Sequence, residues 1–119
     1  MSTITAPAVT GFSAPIATTS DLCPVLVVGL GAETRMREGK ATPQGEATYS
    51  TGCILMGQRD GQLTPMKSAS VHVIEPAAVY ELGTRYRAHG RVYVQPYTPD
   101  GGRMTYSITV ERLVPVEDA

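Results

Sequence analysis

Residues 86–114 read YRAHGRVYVQPYTPDGGRMTYSITVERLV, and this stretch decides the predicted fold. Apolar and polar side chains alternate through 91–94, as in a strand with one buried face. The segment over 103–114 is strand-like as well. Thr98-Pro-Asp-Gly-Gly, which lies between them, is a strong turn signal. The stretch therefore predicts two strands, over 86–97 and 103–114, joined by a glycine-rich hairpin.

Three more strand-like segments precede this hairpin. The first runs from Cys23 to about Met36, and its continuous apolar block is typical of a strand buried on both faces. The second covers 46–58 and the third 62–74, with an Asp-Gly tight turn between them. The polar, glycine-containing residues 35–45 predict a loop between the first and second strands.

The connector before the hairpin is predicted to be helical. Residues 75–82 have a proline near their start and are followed by a glycine, which are the start and stop marks of a short helix. The fold class is therefore all-β: a five-stranded OB-type β-barrel with a short helix between strands 3 and 4. A β-sandwich or an SH3-like barrel has a similar strand count and stays an alternative.

The length of 119 residues predicts one domain. Residues 1–20 contain no charged side chain and are predicted to be a flexible tail or a loosely docked arm, with Phe12 and Ile16 as its anchors. Residues 21–116 are the predicted OB-fold domain, and 117–119 are a short C-terminal tail. No basic leader with a long apolar stretch is visible, so we expect a cytoplasmic protein.

The charge distribution favours a locally basic surface. The formal net charge is −1, yet all ten basic residues lie between Arg35 and Arg112, together with seven of the eleven acids. This window therefore has an excess of three positive charges. A mild excess of this kind supports a local basic face, but the net charge does not by itself indicate a polyanionic partner.

Metal binding and catalysis are not expected. Cys23 and Cys53 have no partner at metal-ligand spacing, and His72 and His89 are isolated in sequence. No motif places a nucleophile beside a base and an acid. The Gly-Leu-Gly at 29–31 lacks the spacing of a phosphate-binding loop. We therefore predict a protein that is not an enzyme and has no cofactor.

Exposed aromatic and basic residues on one face of a curled sheet suit a ligand with flat rings and negative charge. Single-stranded nucleic acid is such a ligand, because bases stack on rings while phosphates bind cations. Arg35, Arg37 and Lys40 form the densest basic cluster. A second row, Arg85, Arg87 and Arg91, leads into the strand that carries Tyr93. Solvated charges and half-buried tyrosines are the alternative interpretation.

The closing segment, TVERLVPV at 109–116, resembles the last strand of the filamentous-phage single-stranded DNA-binding proteins. The polar 35–45 segment, followed by a strand with a tyrosine, resembles their DNA-binding hairpin. The chain is also similar to small proteins of this kind encoded on actinobacterial plasmids and integrative elements. The resemblance implies a five-stranded OB fold, a homodimer, and binding to single strands with little sequence preference.

Site residues follow from the resemblance and from the pattern together. The resemblance implies phosphate contacts from the 35–45 segment, base stacking on Tyr49, and counterparts for Tyr97 and Arg112. The pattern adds the strand-four residues. The complete set of predicted nucleic-acid-binding residues is Arg35, Arg37, Lys40, Tyr49, Arg87, Arg91, Tyr93, Tyr97 and Arg112.

The predicted function is non-sequence-specific binding of single-stranded DNA, with RNA as an open alternative ligand. The resemblance implies a role in replication or transfer of a phage, plasmid or integrative element. A different class stays open: a small β-barrel module for protein–protein interaction or oligomerisation, since an exposed strand edge is a ready template for pairing.

Overall fold

The computed structural model describes residues 15–66, 68–98 and 102–116. Within these ranges the secondary structure consists of strands alone, which confirms the all-β class. None of the described residues forms a helix that is long and apolar enough to cross a membrane. The strands are β1 (Ile16–Thr19), β2 (Leu26–Val28), β3 (Arg35–Ala41), β4 (Ala47–Ser50), β5 (Ile54–Arg59), β6 (Gln62–Met66), β7 (Ser70–Val73), β8 (Arg85–Tyr97) and β9 (Thr105–Pro115).

All the strands belong to one sheet. Its order is β3-β4-β7-β9-β8-β2-β5-β6, and β1 pairs with β8 in addition. The β8–β9 hairpin predicted from the sequence is confirmed as the long antiparallel pair at the centre of this path. Neighbouring strands are antiparallel except for β7 and β9, which pair in parallel. The path through the described strands ends at β3 and β6, so within the described residues the sheet is not closed into a barrel.

Three predicted strands are each divided in two. The first separates into β2 and β3 around Gly29, where an added Cβ would overlap the backbone oxygen of Glu81, so the chain passes too closely there for any other residue. The second separates at 51–53, where the buried Thr51 hydroxyl donates to the Val71 carbonyl at 2.9 Å. The third separates into β6 and β7. The predicted Asp-Gly turn between β5 and β6 is confirmed.

The prediction of a loop over 35–45 is wrong for most of its length. Arg35–Ala41 forms β3, which pairs with β4, and the register shifts between Met36 and Ala41. Only the residues after β3 form a turn, which the Thr42 amide closes by donating to the Glu46 carbonyl at 2.9 Å. A polar, glycine-containing strand reads as a loop because β3 has no buried residue to set a period.

The predicted helix over 75–82 is also wrong. Backbone groups of this connector bond to a distant segment: the Thr34 amide donates to the Ala78 carbonyl at 3.1 Å, and the Gly31 amide donates to the Tyr80 carbonyl at 2.9 Å. These carbonyls are thereby used by tertiary bonds and not by a helical turn. Proline and glycine mark the ends of turns and loops as well as of helices.

The core lies on one face of the sheet and is built mainly from valines. Val27, Val73, Val92 and Val110 are fully buried. Tyr80, from the connector, is 1% exposed, and its ring meets the ring of Tyr86 edge to face with centroids 5.1 Å apart. Each tyrosine hydroxyl accepts a hydrogen bond from a backbone amide, that of Ala77 for Tyr80 and that of Glu81 for Tyr86. The connector therefore closes one side of the core without being a helix.

The N-terminal part of the described chain contacts β8. Ile16–Thr19 pairs with residues 91–94 in antiparallel register, and Ile16 remains 48% exposed. The predicted anchor Phe12 lies outside the described residues, as do most of the predicted N-terminal tail, the C-terminal tail and the tip of the β8–β9 turn.

Candidate functional site

A groove of about 450 Å³ lies on the face of the sheet opposite the core, across β3, β4, β7, β9 and β8. We call it the polar groove. Side chains alternate along a strand, so the residues between buried core positions line it. Tyr93 lines the groove between the core residues Val92 and Val94, for example. The other described lining residues are Pro15, Arg37, Gly39, Lys40, Ala41, Thr42, Pro43, Thr48, Ser70, Gln95, Tyr97, Ser107 and Thr109.

One wall of the polar groove carries two positive charges. Arg37 is half-buried and its Nη1 donates to the Thr48 hydroxyl at 3.3 Å, while Lys40 is exposed. Burial lowers the pKa of the Arg37 guanidinium from its usual value. The described lining residues include neither Asp nor Glu. The charged side chains among the described lining residues are therefore both cations.

The two tyrosines of the polar groove differ in access. Tyr93 is 4% exposed, and its hydroxyl donates to Oε1 of Gln44 at 2.6 Å, because the β3–β4 turn lies over it. Tyr97, at the end of β8, is 38% exposed. Tyr97 can present a ring face to a ligand, whereas Tyr93 forms part of the floor.

The floor between these walls consists of small polar side chains. Thr48, Ser70, Ser107 and Thr109 lie there, and none of them was among the predicted binding residues. The available signal was their position between buried apolar residues, as for Thr109 between Ile108 and Val110. A floor of hydroxyls offers hydrogen bonds to a polar ligand without adding charge.

His72 lies on β7 and is 7% exposed. Its Nδ1 lies 3.4 Å from the Ser107 hydroxyl. Burial, together with the positive charge of Arg37, lowers its pKa to about 4 from 6.5. His72 is therefore neutral at physiological pH and supplies a hydrogen-bonding group to this face, not a charge.

Arg91 is engaged by two carboxylates. Its Nη1 and Nη2 donate to Oε1 and Oε2 of Glu46 at 2.6 and 2.8 Å, and its Nε donates to Oε1 of Glu111 at 3.0 Å. These contacts raise the pKa of Arg91 and lower the pKa of both carboxyl groups. Neither glutamate was predicted to contact Arg91, because neither lies near it in sequence.

The remaining predicted residues lie away from the polar groove. Tyr49 is half-buried and packs against the core. Arg35 is exposed at the start of β3 but does not line the groove. Arg112 makes ion pairs with Glu111 at 3.3 Å and with Glu75 at 3.7 Å. The structure thus brings Arg37, Lys40, Tyr93 and Tyr97 together and leaves the other five outside.

A second groove, which we call the apolar groove, has a volume of about 920 Å³ and lies on the core face of the sheet. It runs between the β5–β6 hairpin and the β8–β9 hairpin. Val25, Leu55, Met66, Val94 and Ile108 are among its lining residues, and Arg87 and His89 also line it. Leu63 on the edge strand β6 is 51% exposed beside it. This groove is suited to apolar contacts.

No family model matches this chain, and neither the curated proteins nor the solved structures provide a significant match. The resemblance to phage single-stranded DNA-binding proteins therefore stays a prediction.

Proposed function

We propose that this protein is a non-enzymatic, non-sequence-specific single-stranded DNA-binding protein that holds the strand in the polar groove. The observation that carries the proposal is the convergence of Arg37, Lys40 and Tyr97 on a groove whose described lining contains no acid. Cations beside an exposed aromatic ring are the combination that binds single strands without reading their sequence.

Phosphate binding is assigned to Arg37 and Lys40. Both lie on β3, three residues apart, and line the same wall. Each phosphate neutralised on a single strand contributes about −0.7 to the slope of log affinity against log salt. Two such contacts give a slope of about −1.4. Binding of this kind is weak at high salt and strengthens as salt is removed.

Base stacking is assigned to Tyr97, and hydrogen bonding to the floor. The exposed Tyr97 ring lies at the end of β8, within the same groove as the two cations. Stacking of one base on an aromatic side chain contributes about 1–3 kcal/mol. The hydroxyls of Ser70 and Thr109 face the ligand from the floor. They bind phosphate or sugar oxygens, which are present at every nucleotide, so sequence preference is low.

The proposal extends to the fold. β2 with β3, β4 with β5, and β6 with β7 correspond to the first three bent strands of an OB-type barrel, and β8 and β9 to the last two. Support comes from the parallel β7–β9 pair and from β8, which lies between β9 and β2. OB folds bind oligonucleotides between the loops after their first and fourth strands. The β3–β4 and β8–β9 hairpins, which flank the polar groove, hold those positions.

The biological role we propose is to coat single strands during replication or transfer of a phage, plasmid or integrative element, as a homodimer. This part depends on the sequence resemblance alone. The resemblance is carried by the 35–45 segment with its following tyrosine and by 109–116, of which 109–115 lie in β9.

The test is a fluorescence-anisotropy titration with labelled oligo-dT of about 30 nucleotides, longer than the roughly 4–16 nucleotides that one OB fold covers. Low and high salt are compared, with a duplex of the same length as control and an oligo-rU of that length as the RNA arm. We expect binding to the single strand that weakens with salt and exceeds binding to the duplex. Absence of binding at low salt would refute the proposal.

A second candidate function is docking of a protein partner or of a second copy through the apolar groove. The observation that favours it is the exposed Leu63 on an edge strand beside an apolar lining. Edge strands pair readily with other chains. If the protein forms a dimer without nucleic acid and does not bind oligonucleotides, this candidate is supported over the first.

A further inference from the structure

We propose that Arg91 is a positioning residue: with Glu46 and Glu111 it holds the β3–β4 hairpin over the polar groove, and it does not contact phosphate. We call these three residues the ion-pair cluster. The inference rests on the proposed function, because the groove that the hairpin completes is the proposed DNA site. It also reassigns a residue whose charge and strand position suggested a direct contact.

Within the ion-pair cluster, the two terminal nitrogens of the Arg91 guanidinium both bind the same carboxylate, that of Glu46. Two parallel N–H···O bonds, at 2.6 and 2.8 Å, join Arg91 to the Glu46 carboxylate. Such bidentate pairs are stronger and more directional than single charged contacts. On its other side Arg91 donates twice to Oε1 of Glu111, from Nε at 3.0 Å and from the backbone amide at 3.2 Å. Arg91 thus pairs with two carboxylates, one of which, Glu111, also pairs with Arg112, so the charge of Arg91 is compensated within the protein.

The cluster is connected to the turn that closes the hairpin. The Thr42 hydroxyl donates to Oε1 of Glu46 at 3.2 Å, and the Gly45 amide donates to the Thr42 carbonyl at 2.8 Å. One residue before Gly45, Gln44 accepts the hydroxyl of Tyr93 at 2.6 Å. The turn is therefore fixed to β8 at two positions, Arg91 and Tyr93. This attachment sets where Arg37 and Lys40, on the preceding strand, lie relative to Tyr97.

The backbone of β8 is shaped for this contact. The β8–β9 register shifts between His89 and Val92, as at a β-bulge, which re-aims a side chain. Gly90 has a φ of 91°, and a Cβ there would lie 2.7 Å from Oε1 of Glu111. Gly90 thus leaves the space that the Glu111 carboxylate occupies when it meets Arg91. The bulge and the absence of a side chain at Gly90 therefore both allow Glu111 to contact Arg91.

We expect Glu46→Gln to change the affinity for DNA in the direction opposite to simple charge repulsion. An acid near a DNA groove ordinarily weakens binding by repulsion, so its neutralisation should strengthen binding. If the acid positions the hairpin, neutralisation should weaken binding instead, because the bidentate pair is lost. The matched control is Glu38→Gln, since Glu38 is an exposed acid on β3 of the same hairpin.

The first experiment measures affinity for labelled oligo-dT, and its salt slope, in the full chain. We expect Glu46→Gln to lower affinity about five- to tenfold with the slope unchanged, and Glu38→Gln to leave affinity equal or higher. Arg91→Lys, which keeps the charge but loses the planar fork, should lose as much as Glu46→Gln. Tighter binding or a steeper slope in Glu46→Gln would show that Glu46 acts by repelling the strand or by keeping Arg91 from phosphate, and either result would overturn the inference.

The second experiment needs no ligand. Hydrogen exchange at the amides of Thr42 and Gly45 should accelerate in Glu46→Gln but not in Glu38→Gln, while core amides of β8 and β9 keep their rates. Unchanged exchange at the turn would overturn the inference even if DNA binds. If the wild-type chain binds no oligonucleotide, the proposed function fails, and exchange alone decides the role of the cluster.

A milder variant serves if Glu46→Gln does not fold. Gln44→Ala removes only the acceptor of the Tyr93 hydroxyl and keeps the ion pairs. We expect faster exchange at the turn and an affinity reduced about twofold, without a change in the salt slope. A turn that exchanges at the wild-type rate in Gln44→Ala would contradict the attachment at this second position.

Discussion

The polar groove and the apolar groove share the strands β8 and β9, yet they differ in chemistry. Tyr93 and Thr109 line the first, and their chain neighbours Val94 and Ile108 line the second. Side chains of successive strand residues point to opposite faces, so one stretch of sequence builds both surfaces. The comparison shows that a period of two separates a face for polar and charged contacts from a face that carries the core.

The largest effect that tests this separation is expected from two neighbouring residues. Ile108→Ala should lower the free energy of unfolding by about 2–5 kcal/mol, because Ile108 is 6% exposed in the core. Thr109→Ala, on the other face, should change it by less than about 0.5 kcal/mol. Urea denaturation measures both. Equal losses in the two variants would show that the faces are not distinct.

The polar face should also make stability dependent on pH. The pKa of His72, about 4 when folded, lies below its ordinary value of 6.5, so the unfolded chain takes up a proton first as the pH falls. The free energy of unfolding should therefore decrease by about 2 kcal/mol between about pH 7 and about pH 5, and level off below the folded pKa.

Urea titrations at the two pH values check this expectation. His72→Gln should remove most of the decrease, whereas His89→Gln, at an exposed position of β8, should keep it. A decrease of the same size in His72→Gln would assign the pH dependence to other groups.

Tyr97 tests whether the polar groove binds bases. Tyr97→Ala should weaken binding to oligo-dT by about 1–3 kcal/mol, because one stacking partner is lost. Tyr97→Phe keeps the ring and should bind as the wild type does. Anisotropy titrations of both variants at low salt provide the measurement. Unchanged affinity in Tyr97→Ala would remove Tyr97 from the site.

The smallest expected effect is a change in the salt slope, which is compared between variants of the polar-groove cations and a variant of Arg87 in the apolar groove. The double variant Arg37→Met, Lys40→Met should make the salt slope of oligo-dT binding shallower by about 1.4, since two phosphate contacts are removed. Arg87→Met, which alters the apolar groove, should leave the slope unchanged. A loss of slope in Arg87→Met equal to that in the double variant would mean that DNA crosses the core face.

Local patterns predicted the β8–β9 hairpin well. The predicted strands over 86–97 and 103–114 agree with the observed Arg85–Tyr97 and Thr105–Pro115 to within two residues at each end. Alternation and turn residues are properties of adjacent positions, so they can be seen without the structure. The helix predicted over 75–82 failed for the opposite reason. Its carbonyls bond to Gly31 and Thr34, more than forty residues away in sequence for each pair.

The site shows the same division. Arg37, Lys40 and Tyr97 were found as exposed cations and an aromatic residue near turns, which are local features. The engagement of Arg91 was not found, because Glu46 lies 45 positions away and Glu111 lies 20 positions away. The burial of Tyr93 was not found either, since the turn that carries Gln44 covers it from 49 positions away.

The sequence by itself determined the all-β class, the central hairpin and the residue types on each face, because these depend on the two-residue period of a strand. Only the tertiary structure decided which cations remain available. Charge is a property of a side chain, but its availability depends on the acids that folding brings beside it. Arg37 and Lys40 line the polar groove, whereas Arg91 is held between Glu46 and Glu111.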